Sequence, residues 1–197
     1  MNLSIRTNDQ NNTAIDFESA FIMLNSELLK INQSLEIICV GGYVLQLHRF
    51  RGTVDVDAFF QSNEVIDEAI CKVGDKLGIN QPDEIWLNNS VANMNPMPPS
   101  EYCEVVHQFS NLTVLSINIT YLVGMKLCSG RNRDYRDVAV VIKNTKDEQP
   151  LELLFKLGKI GFNIDISVVL DAYEYAYGIE WVRDFYVENE QEIEKLF

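Results

Sequence analysis

Two aspartates one residue apart, Asp55 and Asp57 in TVDVDAFF (53–60), are where residue type first suggests chemistry. The segment alternates as a strand does, with Val54, Val56, Ala58 and Phe60 on one face and Thr53, Asp55, Asp57 and Phe59 on the other. Two carboxylates on one strand face repel, and aspartate is a poor strand former. A hard divalent cation relieves both penalties: Mg²⁺ prefers carboxylate oxygens and commonly binds one or two of them together with a substrate's phosphates. A solvated strand face bearing two exposed acids is the other reading of these residues.

Upstream, the apolar run LEIICVGG (35–42) stops on Gly41 and Gly42. A glycine pair between a strand and a helix lets a ligand approach the backbone closely, and the N–H groups opening the helix can bind phosphate oxygens. A tight turn with no ligand needs the same two residues. The further glycines and the lysine of a P-loop, or of a dinucleotide fingerprint, are absent.

The elements that must position these residues follow from periodicity. IDFESAFIMLNSELLKI (15–31) carries Phe17, Phe21, Leu24 and Leu28 at helical spacing. LEIICVGG is a predicted buried strand, YVLQLHRF (43–50) a helix and TVDVDAFF a strand. In NEVIDEAICKVGDKLG (63–78), Val65, Ile66, Ala69, Ile70, Val73 and Leu77 form a helical stripe that ends on Gly78. Three of the five prolines, Pro96, Pro98 and Pro99, mark 88–102 as a long loop. NLTVLSINIT (111–120) returns to strand alternation, and helical segments run from YLVGMKLCSG to WVRDFYVENEQEIEKLF. The expectation is an α+β fold: an N-terminal helical segment (1–34), an α/β core (35–120) and a helical C-terminal region (121–197).

At 197 residues and 47% hydrophobic, the chain has enough apolar mass for one good core and a small second lobe. No run approaches the roughly 18 to 20 apolar residues of a membrane span, and MNLSIRTNDQNNT lacks the apolar centre of a signal peptide. A cytoplasmic location without membrane contact is expected. The four cysteines lie far apart with no C-x-x-C spacing, and so are expected to be buried thiols. His48 and His107 have no partner at ligand or triad spacing. The net charge of −13 disfavours a long nucleic-acid footprint, but residues 147–197 hold twelve of the 29 acids against four of the 16 basic residues. The middle of the chain can still accept an anion.

GGYVLQLHRFRGTVDVDAFF, with its glycine pair, Arg-x-Thr and Asp-x-Asp in order, resembles the first motifs of the DNA polymerase beta-like nucleotidyltransferase superfamily, especially the AbiEii-like proteins of abortive-infection and toxin–antitoxin systems. MKLCSGRNRDYRDV (125–138) resembles the family's downstream helical motif, and the two blocks span about residues 35–142. The resemblance implies a small mixed β-sheet flanked by helices. It assigns Asp55 and Asp57 to catalytic Mg²⁺, Gly41 and Gly42 to phosphates through the backbone, and Lys126 to the triphosphate. Arg51 and Thr53 orient the site or hold phosphate. Arg131, Arg133, Asp134 and Asp137 match the downstream motif, the two arginines as nucleotide contacts. Lys126 is also readable as a solvated helix charge, Asp134 as the cap of a helix beginning at Tyr135, and Asp137 as the partner of a nearby arginine.

Active members of the superfamily usually present a third carboxylate on a later strand. NLTVLSINIT offers Ser116, Asn118 and Thr120 instead, while Glu101 and Glu104 precede it near the proline-rich loop. Asn118 can orient a metal-bound water but cannot take a proton. The expectation is a Mg²⁺-dependent nucleotidyltransferase using a nucleoside triphosphate. Its acceptor is RNA, a protein or a small molecule, and an antitoxin is the partner the resemblance implies. The alternative is a catalytically degenerate member acting as a nucleotide- or partner-binding module.

Overall fold

The computed structural model describes residues 15–145 and 149–196; the N-terminal reading on a signal peptide falls outside them. Helix α1 (Phe17–Lys30) begins at Asp16, whose carboxylate accepts the Ser19 N–H at 3.3 Å, and buries Phe17, Ala20, Phe21, Leu24 and Leu28 along one face. Strand β1 (Leu35–Cys39) runs directly into α2 (Gly41–Leu47), and β2 (Val56–Phe59) leads to α3 (Glu64–Leu77). Asn63 caps α3 by accepting from the Val65 and Ile66 N–H groups, and Gly78 ends it in the left-handed conformation, as its sequence predicts. Strands β3 (Leu87–Asn88), β4 (Cys103–Gln108) and β5 (Leu112–Ile117) complete the sheet. Helices α4 (Ile119–Ser129), α5 (Asn132–Thr145), α6 (Pro150–Lys159), α7 (Ile166–Tyr177) and α8 (Ile179–Ile193) follow.

The sheet order is β3-β2-β1-β5-β4, with β1 parallel to β5, β2 parallel to β3, and the β1–β2 and β4–β5 pairs antiparallel. Its two faces bury different cores. On one, Val56, Ala58, Phe60, Leu112 and Val114 pack against α1 and α3 around Trp86, whose Nε1 donates to the Ile70 carbonyl at 2.9 Å. On the other, Phe59 and Ile117 pack against α4 to α8 through Leu122, Val138, Leu157, Val169 and Tyr173. Each Val, Leu, Ile or Phe side chain among these, fully buried, contributes about 1.5–3 kcal/mol. The architecture is α+β, a five-stranded open mixed sheet with a helical C-terminal region. Among the described residues, no helix is long and apolar enough to cross a membrane.

Several boundaries differ from the periodicity reading. TVDVDAFF becomes strand only at Val56; Thr53 and Asp55 lie in the approach to it, and Val54 is exposed. NLTVLSINIT ends as a strand at Ile117, because the Asn118 side chain accepts the Tyr121 N–H at 2.8 Å and starts α4. Strands β3 and β4 are unforeseen, the first being two residues long. The second is a part-exposed edge strand with an irregularity between Val105 and His107, so it carries no clean alternation. All four cysteines are free, but only Cys39 is buried and Cys128 is exposed.

Candidate functional site

The glycine pair and the aspartates meet where α2 starts. Gly41 has φ of 63°, and a Cβ built there would lie 2.6 Å from Asp57 Oδ2. A Cβ on Gly42 would lie 2.4 Å from Thr53 Oγ1. The pair is therefore required by this chain itself: segment 51–57 closes over the first turn of α2 only because no side chain is there. The Val40 N–H donates to the Asp57 carbonyl at 2.8 Å. Thr53 donates its N–H to Gln46 Oε1 at 3.0 Å and its hydroxyl to Asp55 Oδ1 at 2.9 Å, which fixes the first carboxylate beside the second.

Asp55 and Asp57 line a cleft of about 640 Å³ together with Gly41, Gly42, Arg51, Thr53, Lys126, Arg131 and Arg133. All the residues singled out by the resemblance thus share one cavity. Burial, and then the charge of Asp55, pushes the Asp57 carboxyl above its ordinary range, against weaker opposing influences of Asn88, Arg133 and Lys126. Two carboxylates left to repel each other in a cleft are a donor set that Mg²⁺ fits when substrate phosphates complete its shell. Among the described residues, no three acids, histidines or cysteines converge as a metal-ligating group.

The later strand holds no third carboxylate. Ser116 shares the face of Leu112 and Val114, is 2% exposed, and donates to the Ile117 carbonyl. The acid that joins Asp55 and Asp57 in the cleft is Glu84, on the turn where Gln81 and Glu84 exchange backbone hydrogen bonds. Burial raises its carboxyl, as do the charges of Asp55 and Asp57, while Arg133 draws it down. Its sequence signal is only the turn-forming Pro82-Asp83 pair, which says nothing of what the turn faces.

The basic residues divide into two groups. Lys126, 9% exposed, places Nζ 2.8 Å from Asp134 Oδ1 and 2.6 Å from Asp137 Oδ2. Arg51 grips Asp137 bidentately, Nε to Oδ1 at 2.6 Å and Nη2 to Oδ2 at 2.9 Å, and Arg131 Nε donates to Asp134 Oδ2 at 2.6 Å. Burial alone would raise both aspartates. Hydrogen bonds from Lys126 and Ser129 bring Asp134 below the ordinary carboxylate range, and those from Arg51 and Lys126 do the same for Asp137. Asp134 lies within the first turn of α5, which begins at Asn132, and so does not cap a helix starting at Tyr135. Arg133 and Arg136, on the same helix, line the cleft exposed and, among the described residues, without an ion-pair partner. Val91, Met94, Leu122, Met125 and Val140 add an apolar wall.

No curated protein and no solved structure matches the chain. Residues 19–159, from α1 to the end of α6, match the family described as a nucleotidyltransferase of unknown function (DUF6036), so the segment that builds this cleft is the family's own and the chain belongs to that nucleotidyltransferase family.

Proposed function

We propose that the chain transfers a nucleotide from a nucleoside triphosphate to an acceptor hydroxyl in a Mg²⁺-dependent reaction. One observation carries this reading: a single cleft is lined both by Asp55, Asp57 and Glu84 and by Arg133 and Arg136, and among the described residues none of the five forms an ion pair within the chain. A metal-bound triphosphate has the complementary pattern. Asp55 and Asp57 would hold the Mg²⁺, which when bound would supply charge neutralisation at the phosphates. Arg133 takes phosphate oxygens as a planar fork, with Arg131 at the rim, and the backbone at Gly41 and Gly42 approaches the phosphates closely. Lys126 contributes its field from beneath, its position fixed by Asp134 and Asp137, while Arg51 and Thr53 orient Asp137 and Asp55. As the acceptor hydroxyl attacks and pyrophosphate leaves, the hydroxyl proton passes to a base, for which Glu84, lining the same cleft as Asp55 and Asp57, is the carboxylate this reading assigns.

The expected result is a rise in melting temperature with Mg²⁺ and nucleoside triphosphate that is lost in Asp55→Asn/Asp57→Asn. Absence of any shift in the wild type rejects the reading. The lack of a third converging acid supports a second one, a member that binds nucleotide without transferring it. Incubating cell extract with triphosphate radiolabelled at the α-phosphate separates the two: label moving to RNA or protein, and lost in the double mutant, identifies the enzyme and its acceptor class. The AbiEii-like resemblance adds a cytoplasmic toxin role with an antitoxin as partner, for which induced wild type arrests growth and the double mutant does not.

A further inference from the structure

Asn88 has an unusual position behind the metal-binding aspartates. Strands β2 and β3 run parallel with Asp57 directly opposite Asn88, so the two side chains stand next to each other on one sheet face. The Ser90 backbone N–H reaches Asn88 Oδ1 at 3.2 Å, and the Ser90 hydroxyl donates to the same oxygen. A backbone N–H can only donate, so the atom facing it must be the carboxamide oxygen, and the orientation of the amide is fixed. Its Nδ2 is therefore turned away from Ser90. That nitrogen is buried and has no partner at full hydrogen-bond geometry, the one such side-chain atom among the described residues, although Asn88 is near enough to Asp57 to draw its carboxyl down weakly. Leaving a buried donor unmatched is costly, and a protein that retains one at a ligand cleft holds it for a state in which it is used.

We propose that Asn88 is a positioning residue for Asp57: when a divalent cation draws one Asp57 oxygen forward, Nδ2 closes on the other and fixes the carboxylate's orientation. Carboxylates that ligate metals are generally held in this way by a hydrogen bond from outside the ligand set. Asn88 is not among the residues lining the cleft and touches no substrate in this scheme; Ser90 anchors its far end. The proposal rests on the assignment of Asp55 and Asp57 to a cation.

Binding of Mn²⁺ alone, followed through the spin-resonance signal of the free ion, tests it without any need for the acceptor. Asn88→Ala is expected to weaken Mn²⁺ binding at least about tenfold, the lower end of what loss of such a partner costs, with its metal-free melting temperature close to wild type. Asn88→Asp, which turns a carboxylate oxygen towards Asp57, is expected to lower the metal-free melting temperature and to bind Mn²⁺ more tightly than wild type. Wild-type affinity in Asn88→Ala overturns the role of Asn88 while leaving the cation site standing. No Mn²⁺ binding by the wild type overturns both. Should Asn88→Ala fail to fold, Asn88→Asp decides, and unchanged Mn²⁺ affinity there also overturns the proposal.

Discussion

The cleft holds two pairs of aspartates in opposite electrostatic states. Asp134 and Asp137, one turn apart on α5, are surrounded by Lys126, Arg51 and Arg131 and are drawn below the ordinary carboxylate range. Asp55 and Asp57 lie within the same cavity with no ion-pair partner among the described residues, and Asp57 is pushed above that range. Three basic side chains form ion pairs with the first pair and, among the described residues, none does so with the second, which Arg133 and Lys126 influence only from a distance. The difference separates framework from site: a charge pair satisfied within the chain stabilises the fold, whereas one left unsatisfied destabilises the free protein at neutral pH and is relieved by a ligand or by a proton.

The largest expected effect is at the framework pair. Removing one partner of a buried ion pair costs about 3–5 kcal/mol, and Asp137 serves two cations, so Asp137→Ala should lower stability by that amount in urea titrations. Lys126→Met, which leaves two buried aspartates facing each other, should be comparably damaging. If Asp137→Ala instead unfolds like the wild type yet loses the triphosphate-induced shift, the two pairs are not framework and site, and the comparison breaks.

The next effect has the opposite sign. A carboxyl whose folded pKa is raised above its unfolded value of about 3.9 is destabilising once ionised. Asp57→Asn should therefore raise the metal-free melting temperature at pH 7 by a few degrees while abolishing the Mg²⁺-triphosphate response. The gain should shrink as pH falls through the folded Asp57 pKa and vanish below about pH 3.9, where both states bind the proton. For Asp134 and Asp137 the folded pKa is depressed. Their stabilisation is full above the unfolded value and is lost as pH falls through the folded one. Stability profiles of Asp57→Asn and Asp137→Asn against pH should thus lie on opposite sides of the wild type at neutrality and converge towards it in acid.

Much of this contrast could not be read along the chain. Helices α1 and α3 were legible because their burial follows local periodicity and their caps, and the glycine pair and Asp-x-Asp motif flagged the cleft because their residue types carry local penalties. Long-range pairing left no such mark. Arg51 reaches Asp137 across 86 positions, and Lys126 sits on a helix buried nearly all round, where apolar neighbours cannot distinguish a solvated lysine from an enclosed one. Glu84 was hidden for the same reason: its place in the cleft depends on where α3 delivers the following turn.

A smaller effect tests the unpaired arginines. Arg133→Ala should weaken triphosphate binding several-fold without altering stability by more than ~0.5 kcal/mol, because Arg133 is exposed and not committed to an aspartate. Equal losses of affinity and stability would place Arg133 in the framework.

The smallest effect comes from a carboxylate that resembles the framework pair on distances alone. Glu27 on α1 accepts from Lys30 at 2.7 Å and from Lys72 of α3 at 2.6 Å, and these hydrogen bonds draw it down to about 2. Yet the two lysine side chains are 62% and 64% exposed, so the carboxylate is shielded by mobile stems and not by a packed core. Water and salt screen such pairs, and Glu27→Gln should cost no more than ~1 kcal/mol at pH 7, a cost that fades as pH falls from about 4.3 towards about 2. Raising the salt to about 1 M shortens the screening length to ~3 Å and should remove most of the Glu27 contribution while leaving that of Asp137 nearly intact. Equal salt sensitivity of Glu27→Gln and Asp137→Asn would mean that Lys126 is open to solvent, and the distinction between the two aspartate pairs would then rest on the number of cations and not on their enclosure.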